Sequence, residues 1–139
     1  MNNKAIISLD VDIQAQFYDV DPMNVVWHGN YVKYLETARC ALLDTIDFDY
    51  DKMRSSGYAW PVIDMHLRYI RPIQFRQWVT VRTELVEYET RLRILYTIID
   101  KETKERLTKA RTDQVAVDIK KNEMLLASPD ILLEKIGKK

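Results

Sequence analysis

The sequence predicts an α+β fold: a curved antiparallel sheet of about five strands wrapped around one long helix. Three observations lead there. Residues 9–18 alternate apolar and polar side chains, residues 30–46 carry a broad apolar face at helical spacing, and four further alternating runs follow with only short polar turns between them.

In the first run, Leu9, Val11, Ile13, Ala15 and Phe17 fall on one face and Asp10, Asp12, Gln14 and Gln16 on the other, which predicts a half-buried strand from Leu9 to Tyr18. Asp19 is expected to be solvated or paired, with no catalytic role. From Asn30 to about Ile46 the period changes. Tyr31, Tyr34, Leu35, Ala38, Ala41, Leu42 and Ile46 make a broad apolar face beside the narrow polar stripe Lys33, Glu36, Thr37 and Asp44, so the helix should be mostly enclosed. Glu36 and Arg39, three apart on it, are close enough to bond each other or to meet a partner subunit.

After a turn-rich stretch around DFDYDKMRSSG, strands are expected over 59–70, 78–88, 91–100 and 106–119, with Lys101-Glu102-Thr103-Lys104 as a polar hairpin turn. The closing SPDILLEKIG predicts a short helix with Ser128 as N-cap and Pro129 at its first position. A strand, one long helix, then four consecutive antiparallel strands require a sheet that curls around its only large apolar helix. That order describes a hot-dog fold. The 139 residues, 47% of them hydrophobic, suit a single domain over 1–139.

Basic and acidic side chains both number 21, so no global field draws the chain to nucleic acid or an anionic membrane. The start, MNNKAIISLDVDIQ, holds too short an apolar patch for a secretory core and no segment approaches a membrane span, which makes a cytoplasmic location the expectation. Three glycines leave no material for a GxxxxGK or GxGxxG phosphate cradle, and one cysteine, Cys40, permits no internal disulfide. His28 and His66 lie too far apart, with no third ligand beside them, to form a metal site; His66 is expected to be structural.

The polar chemistry is concentrated in residues 17–39, FYDVDPMNVVWHGNYVKYLETAR. Asp21-Pro22-Met23-Asn24 has the composition of a type I turn, in which the aspartate bonds its own backbone downstream and proline presets φ at the second position. Val25-Val26-Trp27 then leads to His28-Gly29-Asn30, where Gly29 permits a tight approach and Asn30 is a good N-cap. The free N–H groups of the helix start carry the positive end of its dipole and face back towards Asp21. A carbonyl held between them would meet an oxyanion donor on one side and a carboxylate on the other.

The run Y18-D19-x-D21-x-x-x-V25-V-x-H28-x-N30-Y31, with E36-x-A38-R39, resembles the 4-hydroxybenzoyl-CoA thioesterase branch of the hot-dog acyl-thioester hydrolases, and the resemblance covers essentially the whole chain. It implies hydrolysis of an acyl-CoA or acyl-carrier-protein thioester, with Asp21 as nucleophile or general base and the His28 backbone N–H as oxyanion donor. It implies no metal or redox cofactor. It also implies a homodimer or homotetramer with substrate lying across a subunit interface, for which Trp27, Trp60 and Trp78 are bulky contact candidates. The substrate-binding set expected around the motif is Tyr18, Asn24, Val25, Trp27, Gly29, Tyr31 and Arg71. One departure is Asn24, where family members usually carry glycine; a left-handed backbone there is open to asparagine at some cost. Arg68, Arg71, Arg76 and Arg82, with no intervening acid, suit either phosphate contacts or charges that guard sheet edges. The same scaffold also supports thioester dehydration or hydration and noncatalytic thioester binding, although HGNY does not resemble the proline-rich histidine segment of fatty-acid dehydratases.

Overall fold

The computed structural model describes residues 4–137. Its strands are β1 (Ile7–Gln14), β2 (Tyr58–Ala59), β3 (Val62–Tyr69), β4 (Trp78–Glu87), β5 (Leu92–Asp100), β6 (Arg106–Gln114), β7 (Val117–Asp118) and β8 (Glu123–Met124). The five long strands form one antiparallel sheet in the order β1-β4-β5-β6-β3. The helix α1 (Tyr31–Asp44) packs on β1 and β4. Its Leu35, Ala38 and Leu42 are fully buried, and each leucine contributes about 1.5–3 kcal/mol by leaving water. In β5 the period of two is strict: Leu92, Ile94, Tyr96 and Ile98 are buried, while Arg93, Leu95 and Thr97 lie half-buried on the other face. Among the described residues, no helix is long and apolar enough to cross a membrane.

Several element boundaries differ from expectation, each for a local reason. The strand expected to reach Tyr18 stops at Gln14, because Phe17–Asp19 close a 3-10 turn with Asp19 N–H donating to the Gln16 carbonyl at 3.0 Å. The run 59–70 breaks at Trp60-Pro61, where proline has no N–H for a ladder. Tyr58 and Ala59 instead pair with β7 in a small second sheet, β2-β7-β8. Trp60, expected at a subunit contact, is buried edge-on against Phe48. Within the turn-rich stretch a short helix, α2 (Tyr50–Ser55), forms behind Asp49, whose side chain accepts from Lys52 N–H at 2.9 Å. The terminal helix α3 (Asp130–Gly137) is present, but the Ser128 hydroxyl donates to the Tyr88 carbonyl and clips the helix to the β4–β5 hairpin.

The start of α1 departs most. Asn30 has helical backbone angles and makes no side-chain cap; its amide donates to the Asp19 carbonyl at 2.7 Å instead. Asp19 itself is only 4% exposed, so of the two expectations, solvated or paired, it is the paired one, through hydrogen bonds. Its Oδ2 accepts from Gln16 N–H and from the Tyr34 hydroxyl, both at 2.9 Å, and its carbonyl also accepts from Trp27 N–H at 2.9 Å. One residue thus ties the end of β1 to the second turn of α1. Replacing Asp19 by Ala strands one buried and one half-buried donor that now meet a charged acceptor, at about 1.5–3 kcal/mol each. We expect Asp19→Ala to lower stability by at least ~2 kcal/mol in a denaturant titration; a loss below ~0.5 kcal/mol would remove this residue from its structural role.

Candidate functional site

Between β1 and α1 the chain makes a two-armed ribbon. Val20 bridges Val26, Asp21 N–H donates to the Val25 carbonyl at 2.9 Å, and Asn24 N–H returns to the Asp21 carbonyl at 2.9 Å. This is the expected turn, with the residue after it in the left-handed region: Asn24 has φ 66°. Asparagine tolerates that conformation better than any residue with a branched β-carbon. Asp21 is half-buried, and its Oδ1 accepts from Met23 N–H at 2.8 Å, which fixes the carboxylate over the turn.

The second arm is pinned from below. Val26 N–H donates to the Ile73 carbonyl at 2.7 Å, and Val25 bridges Gln74. His28–Asn30 then form a 3-10 turn that runs directly into α1. The first N–H groups of such a turn have no carbonyl within the helix to bond, and they lie at the positive end of the helix dipole. Roughly 10 Å of extended chain separates His28 from Val25, the residue opposite Asp21.

Aromatic side chains hold this corner. The Tyr69 hydroxyl donates to the His28 carbonyl at 2.9 Å. Its ring meets Tyr31 edge-on at 4.8 Å and the His28 imidazole at 6.5 Å. Trp27 lies against His28, with ring centres 4.9 Å apart. Burial pushes the Tyr34 phenol far above its ordinary value, and its bond to Asp19 adds to the shift, so it stays a protonated donor.

Of the residues singled out in the sequence, Asp21, Asn24, Val25, Trp27, His28 and Gly29 all lie on this ribbon. Tyr18 is 78% exposed beside it. Tyr31 stands behind it, buried, with its phenol oxygen accepting from Ile73 N–H at 3.3 Å. Arg71 is exposed and paired with Glu105 at 3.0 Å. Arg82 is paired with Asp10, and Arg76 stacks on Phe75. Tyr34 and Tyr69 lie outside the motif, and Asp19 lies inside it with a buried hydrogen-bonding role that the motif does not reveal. Tyr69 ends an alternating strand, and nothing near it in sequence signals a contact with His28.

A family model of the thioesterase-like superfamily matches residues 15–135. The chain belongs to that superfamily. A Synechocystis protein provisionally named an esterase is 30% identical over 130 residues, which are 93% of this chain and 78% of that one. Among solved structures, a DHNA-CoA thioesterase from Staphylococcus aureus superposes with a TM-score of 0.83 at 25% identity, covering 94% of this chain and 89% of that one. The 1,4-dihydroxy-2-naphthoyl-CoA thioesterase Slr0204 from Synechocystis shares the fold, with a TM-score of 0.84 at 17% identity over 94% of this chain and 96% of that one. The sheet and its long helix are therefore the hot-dog arrangement that the order of elements predicts.

Gly29 in this thioesterase-like chain has a steric duty. A methyl group on it would overlap the Trp27 ring, with Cη2 at 2.6 Å and Cε3 at 2.7 Å. Gly29→Ala is expected to expel the indole, seen as a red shift in tryptophan emission without loss of helix content. Unchanged emission would show that Trp27 does not rest on Gly29 in solution.

Proposed function

We propose that this chain hydrolyses acyl-CoA thioesters, with Asp21 as nucleophile or general base and the His28 N–H as oxyanion donor. The observation that carries the reading is the ribbon itself. It holds an oriented, half-buried carboxylate on one arm and, on the other, the His28 N–H at a helix start that has no side-chain cap among the described residues. A thioester carbonyl between them would be polarised by the amide as its carbon is attacked, and the amide, fixed in advance, pays no reorganisation when charge develops. Sulfur leaves as the CoA thiol and the acyl group as a free acid. Trp27, Gly29, Val25 and Asn24 form the floor of the binding surface; Tyr18 and Arg71 flank it.

The same reading includes a second copy of the chain. Tyr18, Met23 and Trp27 are exposed along the ribbon, so a substrate there would lie on an open surface to which a second copy could add a wall. Strand β3 ends the sheet and exposes Val62, Ile63 and Tyr69 along an edge whose backbone has no strand beyond it. A homodimer through that edge, alone or doubled into a tetramer, would bring a partner's surface near Tyr69 and hence near His28.

Thiol release from a panel of acyl-CoA and acyl-carrier-protein thioesters tests the activity and its donor. Asp21→Asn should lower turnover by at least about 10²- to 10⁴-fold with folding intact, the range typical of a lost general base. Turnover within a few-fold of wild type would exclude the assignment. Tyr69→Phe keeps the ring and deletes the bond to the His28 carbonyl. It is expected to lower kcat about 2- to 10-fold with KM little changed, because one neutral hydrogen bond that orients the turn is lost. An equal rise in KM with constant kcat would place Tyr69 in substrate binding instead.

A further inference from the structure

The register of β3, β6 and β5 brings basic side chains together on the outer face of the sheet. Arg68 stands directly opposite Lys109, and Lys109 opposite Thr97; two residues along, His66 stands opposite Arg111. Residues paired in this way point to the same side with Cβ atoms about 5 Å apart, and the next pair on that side lies about 7 Å further along the strands. The burial pattern fixes which side that is. Thr108 and Ala110, which flank Lys109 on β6, are buried, while Arg68, Lys109 and His66 are exposed and Thr97 and Arg111 half-buried. An open cleft of about 340 Å³ runs over these residues and Arg93.

The neighbouring carboxylates are already engaged. Asp113 is held by Arg93 at 2.7 Å and by Arg111 at 3.4 Å, Asp64 pairs with Arg111 at 3.1 Å, and Asp10 pairs with Arg82 at 3.0 Å. Glu84 lies on the cleft wall, but it stands opposite Leu95 on β5, two strand spacings or about 10 Å from β6. Arg68 and Lys109 are left without an ion pair among the described residues. Of the four arginines with no intervening acid in sequence, Arg71 and Arg82 are paired and Arg76 is stacked, so Arg68 is the one still uncommitted.

Like charges directly opposite each other destabilise a sheet. Charges that guard a sheet against unwanted pairing belong on its edge strand, and Lys109 is not on one: β6 has β5 on one side and β3 on the other. An anion set between the two cations turns their repulsion into two attractions. The donors on offer are the planar fork of Arg68, the ammonium of Lys109 and the hydroxyl of Thr97. A phosphate group matches them, with close to two negative charges and three acceptor oxygens, two of which fit the arginine fork. A carboxylate has one charge for two cations and no third oxygen.

We propose that the outer face of the sheet binds a phosphate group, with Arg68 donating to two of its oxygens and Lys109 and Thr97 to the third. Tyr69, the neighbour of Arg68, points to the opposite side of β3 and meets His28, so the site is separate from the Asp21–His28 ribbon. The inference goes beyond thioester hydrolysis and stands without it.

The test is isothermal titration of the full chain, at low and constant ionic strength, with inorganic phosphate, adenosine monophosphate and adenosine. Phosphate and adenosine monophosphate should bind and adenosine should not. A tighter nucleotide would make a nucleotide the source of the phosphate group; equal affinities would make it free phosphate. Arg68→Gln and Lys109→Gln should each weaken inorganic phosphate about 2- to 10-fold, and the double variant at least about tenfold. Lys101→Gln removes a charge paired with Asp12 on β1 and should bind phosphate as wild type does. In thermal melts wild type should gain more from phosphate than the double variant, whose cooperative transition also shows that it is folded. Adenosine binding as well as its phosphate, an equal loss in Lys101→Gln, or a double variant that binds phosphate as wild type does would each overturn the proposal. So would no phosphate binding by wild type, in which case water alone serves the opposed charges.

Discussion

The geometry of the thioesterase corner depends on the burial of one carboxylate. Asp19 is withdrawn from water at the junction of β1, the ribbon and α1, and a carboxylate in that position is costly unless its lone pairs are used. Here they are used by Gln16 N–H and by the Tyr34 hydroxyl, while the carbonyl of the same residue takes Trp27 N–H and the Asn30 amide. Four groups from four segments converge on one residue. The direction in which α1 leaves the ribbon, and with it the aim of the His28 and Gly29 amides, follows from that convergence.

Asparagine 30 shows how this displaces local preference. Its residue type favours an N-cap, where a side-chain oxygen accepts from the first helical amides. In the structure its side chain is a donor to Asp19, and the helix start is left uncapped. A capped start would have satisfied amides and a weaker pull on any incoming oxygen. The exchange of a local cap for a tertiary bond therefore keeps the helix terminus available, at a cost in helix stability of about 1 kcal/mol.

Much of this was legible in the sequence, and the parts that were not share a cause. Alternation along β4, β5 and β6 and the apolar face of α1 are set by burial on one side, so period alone finds them. The Asp21–Asn24 turn is set by residues in direct succession, and its left-handed Asn24 follows from the same local chemistry. Asp19, Tyr34 and Tyr69 act across 15 to 41 residues of chain, as in the bonds Tyr34–Asp19 and Tyr69–His28. No local pattern marks such pairs. Arg39 is a different case: its pair with Glu36, three residues earlier, is local and expected, whereas its burial is a tertiary fact that the helical period does not mark.

A ribbon without a ladder of its own must borrow rigidity, and the segment that lends it is the connection between β3 and β4. Ala15 N–H donates to the Gln77 carbonyl and Arg76 N–H returns to the Ala15 carbonyl, both at 3.0 Å, so the start of the ribbon is held to the end of that connection. Val26 donates to Ile73, and Phe75 N–H reaches the Asn24 carbonyl at 3.4 Å, so the other arm rests on its middle. Tyr69, just before it, holds the His28 carbonyl. Each arm is thereby fixed to backbone that is continuous with two long strands of the sheet. In the proposed mechanism, donors placed in this way would be aligned before any substrate arrives, which is what stabilising a developing oxyanion requires. The ribbon is irregular in secondary structure, but it is not loose.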